Sequence, residues 1–294
     1  MRNTASPQQS SRMVIILGMH RSGTSAFARG MQALGVYLGN NFLETQPDNP
    51  TGYWEDKNIC ELNERLLSLF GLKWTDASLI HQANWSQPAV ESLIGEATKY
   101  MRTNFIDRPL WGFKDPRTIR LMPFWQLVIR RLQVDECYLI AIRNPLSVAA
   151  SLFQRQAMDA VTAYRLWLAY FVPYFNRLSN RRFVVADYDL LMAQPQPQLE
   201  RIARAVEIPL DEHAKAEVRI FAEDFLDSRL RHNFFSEHDF DSVYNLAPLT
   251  REAYLWLRRL ATDQMPTNSS RFWSAWERSR RAAEAALSEP GKTG

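Results

Sequence analysis

Cysteine is scarce in this sequence, with two residues of this type among 294. Cys60 and Cys137 lie far apart in apolar surroundings, which favours two buried free thiols over a disulfide framework and is typical of a reducing compartment. The chain also lacks any run of about 18 apolar residues, and its first residues lack the apolar core of a signal peptide. We therefore expect a cytoplasmic protein without a transmembrane segment.

A strong charge of one sign and a metal-ligand pattern are absent as well. The formal net charge is +3 at pH 7, which suits an anionic ligand but not the clustered basic stripe of a nucleic-acid-binding protein. The five histidines show no spacing typical of metal ligands. We expect neither a nucleic-acid partner nor a bound metal.

Apolar sequence is plentiful, at 46% of the residues, which is enough to bury a sizeable core. Short apolar segments alternate with longer helical patterns, which predicts parallel βαβ units. We expect one α/β domain over residues 13–288 between flexible tails at 1–12 and 289–294, with a P-loop-type central parallel sheet of about five strands flanked by helices and a helical C-terminal cap. The predicted strands include Met13–Leu17, Leu110–Phe113, Tyr138–Ile142 and Phe183–Ala186. The predicted helices include Ser25–Leu34, Ile59–Phe70, Ala89–Thr103, Pro145–Arg155 and Ala160–Leu178.

A glycine-bracketed loop follows the first predicted strand. Backbone N–H groups between Gly18 and Gly23, together with the positive end of the following helix, can bind an anion without a charged side chain. The spacing fits the P-loop pattern, in which a lysine follows the second glycine and reaches the outer phosphates. Here Thr24 takes that place and the local cation is Arg21, which argues against a triphosphate ligand.

Two further predicted strands end on polar residues. Lys114–Arg117 follows one of them and Arg143 ends the next, so parallel order predicts that these loops meet the glycine loop at one crevice. A helix that begins near Pro145 would carry Ser151 and Arg155 on one face, which offers a second phosphate site beside Arg143. The alternative is that Arg143 pairs with a surface carboxylate and that Ser151 is a small helix residue.

At these positions the chain resembles the sulfotransferases that use 3′-phosphoadenosine 5′-phosphosulfate (PAPS), above all their bacterial and Golgi-type branches, over the frame from Val14 to about Asp189. Their 5′-phosphosulfate loop has an Arg-Ser-Gly-Thr-Thr/Ser core, which is present here as Arg21–Ser25. Their 3′-phosphate motif sets an arginine at a strand end eight residues before a serine, and Arg143 and Ser151 have that spacing. With a third motif that lies between these two in the chain, they support the resemblance better than any single motif does.

The third motif is Phe113–Pro116, which resembles the Asn-Lys-Asp-Pro segment of the tyrosylprotein branch, where the lysine touches the transferring group. The resemblance implies PAPS as co-substrate, no metal, and an acceptor hydroxyl or amine, with a glycan or glycan precursor favoured. The PAPS-binding residues that it implies are Gly18, Arg21, Ser22, Gly23, Thr24, Ser25, Arg143, Ser151 and Arg155. The implied catalytic residues are Glu55, Lys114 and Arg21.

The proton acceptor is assigned to Glu55, because Golgi-type enzymes place a glutamate in the segment after the P-loop helix. Pro116 stands where the cytosolic branch has its catalytic histidine, so that mechanism is not expected. The alternative is that Glu55 and Asp56 form the acidic first turn of the next helix. Asp115 and Glu44 are the next candidates for the base.

Other polar and aromatic residues have two interpretations each. His20 could contact the sulfate, but packing is as common a role for a loop histidine, and we leave it out of the catalytic set. Tyr53, Trp54 and Trp74 could line an acceptor pocket or belong to the core.

A late basic segment, Asp227–His232, resembles the donor-binding loop of bacterial members, in which Arg229 or Arg231 would cover the 3′-phosphate; a solvated helix end is the alternative. Two other functions remain open for the whole chain. The first is a magnesium-dependent nucleotide or small-molecule kinase with a degenerate P-loop, and the second is a non-catalytic scaffold.

Overall fold

A computed structural model of the protein describes residues 11–46, 52–226, 233–243 and 247–288. The segment 227–232, with Arg229 and Arg231, lies outside the described residues, as do the predicted C-terminal tail and most of the N-terminal tail. Arg12, which the sequence assigns to that tail, is instead the first residue of a strand. Its guanidinium pairs with Asp135 on the neighbouring strand at 2.9 Å, which holds it in the sheet.

The sheet is parallel throughout its described part, as predicted. Its strands are β1 (Arg12–Gly18), β2 (Leu110–Lys114), β3 (Asp135–Ile142) and β4 (Arg182–Asp187). They lie in the order β2-β1-β3-β4, so the described residues give four strands where about five were expected. At the outer edge of β2 the chain pairs with Trp111 through Tyr37, as an isolated bridge rather than a fifth strand.

Helices cover both faces of this sheet. They are α1 (Thr24–Ala33), α2 (Lys57–Leu69), α3 (Pro88–Asn104), α4 (Met122–Leu132), α5 (Pro145–Gln156), α6 (Ala160–Phe175), α7 (Tyr188–Ala193), α8 (Pro195–Ala205), α9 (Glu212–Ile220), α10 (Pro248–Ala261) and α11 (Ser270–Ser288). No helix in the described ranges is long and apolar enough to cross a bilayer.

Alternate residues of β1 point into two separate cores, because successive side chains of a strand face opposite sides. Met13, Ile15 and Leu17 pack with α2 to α6, α10 and α11. Val14 and Ile16 pack with α1, α8 and α9 on the other face. A strand that is buried on both faces has a continuous run of apolar residues, which is why these strands could be predicted from the sequence.

The carboxyl ends of parallel strands share one edge of the sheet. The loop after β1, the segment after β2 and the start of α5 after β3 therefore meet there. The segment before α2 joins them, because Ser25 Oγ donates a hydrogen bond of 3.1 Å to the carbonyl oxygen of Tyr53. This edge holds the candidate site.

Candidate active site

The loop between β1 and α1 depends on two glycines. Gly23, with φ of 78°, is the N-cap of α1, and no side chain caps the amides of the first turn there. A Cβ on Gly23 would lie 2.1 Å from Cδ2 of Tyr188, and one on Gly18 would lie 2.7 Å from the carbonyl oxygen of Ala141. The close approach of α7 and β3 thus requires glycine at both positions. The uncapped helix N-terminus that results has the features of an anion site.

Three hydroxyl-bearing residues of the predicted binding set lie in or beside this loop. Ser22 and Thr24 are buried. Ser22 Oγ has no hydrogen-bond partner among the described residues, although its backbone N–H donates to the Met19 carbonyl oxygen at 3.1 Å. Ser25 Oγ contacts the segment before α2, as described above. The loop therefore holds one buried hydroxyl that its own fold does not satisfy.

The two predicted anion sites are joined by direct contacts. Arg21 Nε donates a hydrogen bond of 2.8 Å to Ser151 Oγ on α5. Arg143 Nη1 donates one of 3.3 Å to the Arg21 carbonyl oxygen, and its guanidinium lies 4.8 Å from the ring centroid of Tyr188. Arg155 lies on the next turn of α5 and is exposed. The structure therefore brings together the arginine and serine positions that the sequence assigned to two neighbouring sites.

Arg143 lies beneath the segment 233–236 rather than on the open surface. It is 7% exposed, and its Nη2 donates to the Asn233 carbonyl oxygen at 2.6 Å. Asn144 Nδ2 donates to the Phe235 carbonyl oxygen at 2.9 Å, and the Phe235 N–H donates to Ser147 Oγ at 3.2 Å. The chain that follows the undescribed segment 227–232 is thus fixed at the carboxyl end of β3.

Lys114 and Glu55 form a buried ion pair at the carboxyl end of β2. Lys114 is 2% exposed and Glu55 is 5% exposed. The ammonium donates to Glu55 Oε1, to the Tyr53 carbonyl oxygen at 2.9 Å and to Ser25 Oγ at 3.4 Å. Two of the three residues predicted to be catalytic are thus in contact with each other, and Lys114 also contacts the start of α1.

The helix-start interpretation of Glu55 is wrong. Asp56 is the N-cap of α2 and accepts from the N–H groups of Asn58 and Ile59 at 3.0 and 3.1 Å, while the first turn of α2 contains no acidic residue. Glu55 precedes the cap and points to Lys114.

Glu44, another candidate base, forms an exposed pair with Lys57 at 3.7 Å. Glu44 is thus paired at the surface, whereas Glu55 is buried against Lys114, so the structure favours Glu55 over Glu44 as the base.

A second buried ion pair lies next to the first. Arg117 Nη1 donates to both oxygens of Asp115, at 3.0 and 3.1 Å, and lies 3.7 Å from Glu55 Oε2. Asn63 Nδ2 also donates to Asp115, at 3.1 Å. The sequence placed Arg117 beside the lysine motif without giving it a role. Here it neutralises the carboxylates behind Lys114.

Glu55, Cys60 and Asp115 lie close enough together to be considered as metal ligands, with donor atoms within 4.8 Å of one another. Lys114 and Arg117 already pair with the two carboxylates. Burial, and next the charges of Asp115 and Glu55, raise the pKa of the Cys60 thiol far above its ordinary value, so the thiol stays protonated. A thiol must lose its proton to bind a metal. This donor set does not favour one.

His20 lies at the same edge of the sheet, although the sequence left it out of the catalytic set. Its ring centroid is 4.2 Å from that of Trp74 and 6.1 Å from that of Tyr170, whose hydroxyl donates to the Trp74 carbonyl oxygen at 2.8 Å. His20 Nε2 is buried without a hydrogen-bond partner among the described residues. Among the three aromatic residues considered for an acceptor pocket, Trp74 contacts His20 and Trp54 packs on Phe42.

The pKa of His20 is held well below its ordinary value of 6.5, first by burial and then by nearby positive charges. In order of effect, these charges are on Arg117, Lys114, Arg155 and Arg21. Both causes disfavour the imidazolium form. His20 is therefore a neutral ring among four cations.

Comparison with solved structures found similarity to sulfotransferase domains, of which two are described here. The chain is similar to the "Sulfotransferase Domain from the Synechococcus PCC 7002 Olefin Synthase", with 16% identity, a TM-score of 0.41, and coverage of 97% of this chain and 99% of that one. It is also similar to the "Sulfotransferase Domain from the Curacin Biosynthetic Pathway", with 17% identity, a TM-score of 0.42, and coverage of 91% and 97%. No protein-family model and no curated protein matches it. At these TM-scores the two domains do not bear on the reaction of the present chain.

Proposed function

We propose that this chain is a PAPS-dependent sulfotransferase, which moves a sulfuryl group from PAPS to an acceptor hydroxyl or amine. The observation that carries the proposal is the contact between Arg21 and Ser151. It joins a glycine loop that lacks the P-loop lysine to α5, and a second cation, Arg143, donates a hydrogen bond to the Arg21 carbonyl oxygen. Two adjacent anion sites suit a donor with a 5′-phosphosulfate and a separate 3′-phosphate.

In this proposal the loop amides, Ser22 and Arg21 hold the 5′-phosphosulfate. Arg143 and Ser151 hold the 3′-phosphate, with Arg155 at the rim of the same site. Arginine suits this role because its planar fork gives charge-assisted hydrogen bonds to phosphate oxygens. A sulfuryl group carries less charge than a phosphoryl group, so these donors can stabilise the transfer without a metal.

Lys114 and Glu55 act on the leaving group and on the acceptor, respectively. Lys114 turns its ammonium from Glu55 toward the bridging oxygen, which keeps the electron pair when its bond to sulfur breaks. Glu55 Oε1 then loses that hydrogen-bond donor and accepts the proton that the acceptor releases as its new bond to sulfur forms. The buried contact between the two residues supports this pairing of roles.

The test is calorimetric titration of the purified chain with three ligands: 3′-phosphoadenosine 5′-phosphate, adenosine 5′-phosphosulfate, and ATP with Mg²⁺. We expect metal-independent binding of the first and much weaker binding of the second, which lacks the 3′-phosphate. Arg143→Ala should weaken binding of the first by about 10- to 150-fold, as expected for lost hydrogen bonds to a charged group.

Arg131→Ala is the matched control. Arg131 is an exposed residue at the end of α4, and it pairs with Glu91 on α3. This variant should bind all three ligands as the unmodified chain does. A preference for ATP with Mg²⁺ would indicate the kinase alternative. Failure to bind any of the three would contradict the sulfotransferase proposal and leave the scaffold alternative.

The acceptor is proposed at the level of its reacting group only, a hydroxyl or an amine. A sugar or glycan precursor in the cytoplasm is the class that the sequence resemblance favours. Trp74, beside His20, offers an aromatic face that suits a sugar ring. Once donor binding is established, transfer of radiolabelled sulfate to sugar, phenol and amine acceptors will identify the class.

A further inference from the structure

Two buried polar atoms of the glycine loop have no hydrogen-bond partner among the described residues, namely His20 Nε2 and Ser22 Oγ. Most buried polar atoms in folded proteins are hydrogen-bonded, so two exceptions in one short loop call for an explanation. Packing against Trp74 accounts for the position of the His20 ring but does not satisfy its nitrogen. A ligand held by this loop would satisfy both atoms.

The charge around His20 indicates what kind of ligand this is. Four cations act on the ring, and the carboxylates of Glu55 and Asp115 pair with two of them, Lys114 and Arg117. Tyr170, another titratable group, contacts His20 through its ring. A bound anion would offset the positive charges and give a protonated imidazole an oxygen to donate to.

We propose that His20 is an anion-binding residue of this loop, which donates a hydrogen bond from Nε2 to an oxygen of the bound anion and takes up a proton as the anion binds. The inference rests on the proposed function for the identity of that anion, the 5′-phosphosulfate end of the donor. It adds a pH-dependent contact to the permanent cations. By linkage, the affinity for the anion rises as the pH falls through the pKa of His20 in the complex.

The direction of this linkage follows from the two states of the ring. Without an anion, burial and four cations keep the pKa of His20 low, and the ring is neutral. With the anion present, the same ring faces a negative charge, and its pKa rises. A group with a higher pKa in the complex than in the free protein binds a proton when the complex forms.

The experiment is an NMR titration of the histidine ring Cε1–H resonances in the full chain, over about pH 5 to 9. Spectra are recorded without added anion, with inorganic sulfate, and with 3′-phosphoadenosine 5′-phosphate. Sulfate does not titrate in this range, so any proton uptake belongs to the protein. We expect the titration midpoint of His20 to rise by about one pH unit or more when either anion binds.

The His20 resonance is assigned by its loss in His20→Gln, with His20→Asn as the second variant. The exposed residues His81, His213 and His238 are internal controls, because their resonances should not respond to the anion. A midpoint that is the same with and without bound anion would overturn the inference. So would an ordinary midpoint for His20 in the protein without anion.

The two probes separate this inference from the proposed function. A shifted His20 midpoint with sulfate but no binding of 3′-phosphoadenosine 5′-phosphate supports the His20 assignment and contradicts the PAPS proposal. Binding of the nucleotide with no His20 shift does the reverse. If neither anion binds, both proposals fail.

Discussion

Arg21 Nε donates a hydrogen bond of 2.8 Å to Ser151 Oγ, and this contact joins the loop after β1 to the helix after β3. The two residues are 130 positions apart in the chain. The orientation of the Arg21 side chain in one proposed anion site therefore depends on Ser151 in the other. Binding at either site should be sensitive to changes at both.

Ser151→Ala should weaken binding of 3′-phosphoadenosine 5′-phosphate by about 5- to 30-fold, because Arg21 loses an acceptor that orients it and the 3′-phosphate loses a hydroxyl donor. Calorimetry on Ser151→Ala, Arg21→Gln and the double variant measures their coupling. We expect the double variant to lose less than the sum of the two single losses. Strict additivity would show that the hydrogen bond does not contribute to donor binding.

Much of this arrangement could be predicted from the sequence, because the strands are buried on both faces and appear as apolar runs that end on polar residues. Lys114 and Arg143 follow such runs directly and Arg21 lies in the glycine loop after the first, and the structure extends each of the four predicted strands by one to three residues at one or both ends. The expected fifth strand was wrong for the described chain. Pairing through Tyr37 leaves no periodic signal that distinguishes it from a loop.

Helix N-caps favour aspartate, which agrees with Asp56 as the cap of α2, but the partner of Glu55 could not be predicted from the sequence. That partner is Lys114, which lies 59 residues away. The unsatisfied Nε2 of His20 could not be predicted from the sequence either, since it depends on the surrounding fold rather than on residue spacing. Both features arise from tertiary contacts.

Removing Glu55 should cost stability as well as activity. Glu55→Ala leaves the Lys114 ammonium buried without its carboxylate, at a cost of about 3–5 kcal/mol in the free energy of unfolding. Adding Lys114→Met should recover at least about 1 kcal/mol of that loss. Urea unfolding followed by circular dichroism gives the values.

Glu44→Ala is the control for this measurement, because its pair with Lys57 is exposed and should be worth less than about 1 kcal/mol.

Glu55→Gln, which can still accept from Lys114, should keep donor binding and lose turnover. If Glu55→Gln transfers sulfate at the original rate, Glu55 is not the proton acceptor.

Gly23→Ala should disrupt the loop through a steric contact in addition to backbone strain. Its Cβ would lie 2.1 Å from the Tyr188 ring, and that ring also packs against the Arg143 guanidinium. Gly71 is a matched control, with φ of 69° against 78° and no atom within 4 Å of its Cβ position. We expect Gly71→Ala to cost about 1 kcal/mol and Gly23→Ala at least about 2 kcal/mol, with a loss of nucleotide affinity for Gly23→Ala only. Equal costs in unfolding experiments would contradict the steric argument.

Chelation should leave nucleotide binding and sulfuryl transfer unchanged. Lys114 and Arg117 already neutralise the buried carboxylates of Glu55 and Asp115, so a divalent cation would have to displace one of them. Rates measured with EDTA and with added Mg²⁺ or Zn²⁺ should agree within error. A loss of activity with EDTA that Zn²⁺ restores would contradict this prediction, and the Glu55, Cys60 and Asp115 group would then be the first place to look for the metal.

The low pKa of His20 should also appear in the pH dependence of stability. The folded ring has a pKa below the ordinary value of 6.5, so the unfolded chain takes up this proton first as the pH falls. Stability is therefore lost as the pH drops through about 6.5 toward the pKa of the folded state, with a slope of at most about 1.4 kcal/mol per pH unit from this one group. His20→Gln removes that contribution, and comparison of the two unfolding curves cancels the titration of the other groups. Saturating sulfate should flatten the difference, because a bound anion raises the pKa of His20 in the folded state. A difference curve that is flat without sulfate would show that the His20 ring titrates alike in the folded and unfolded chains.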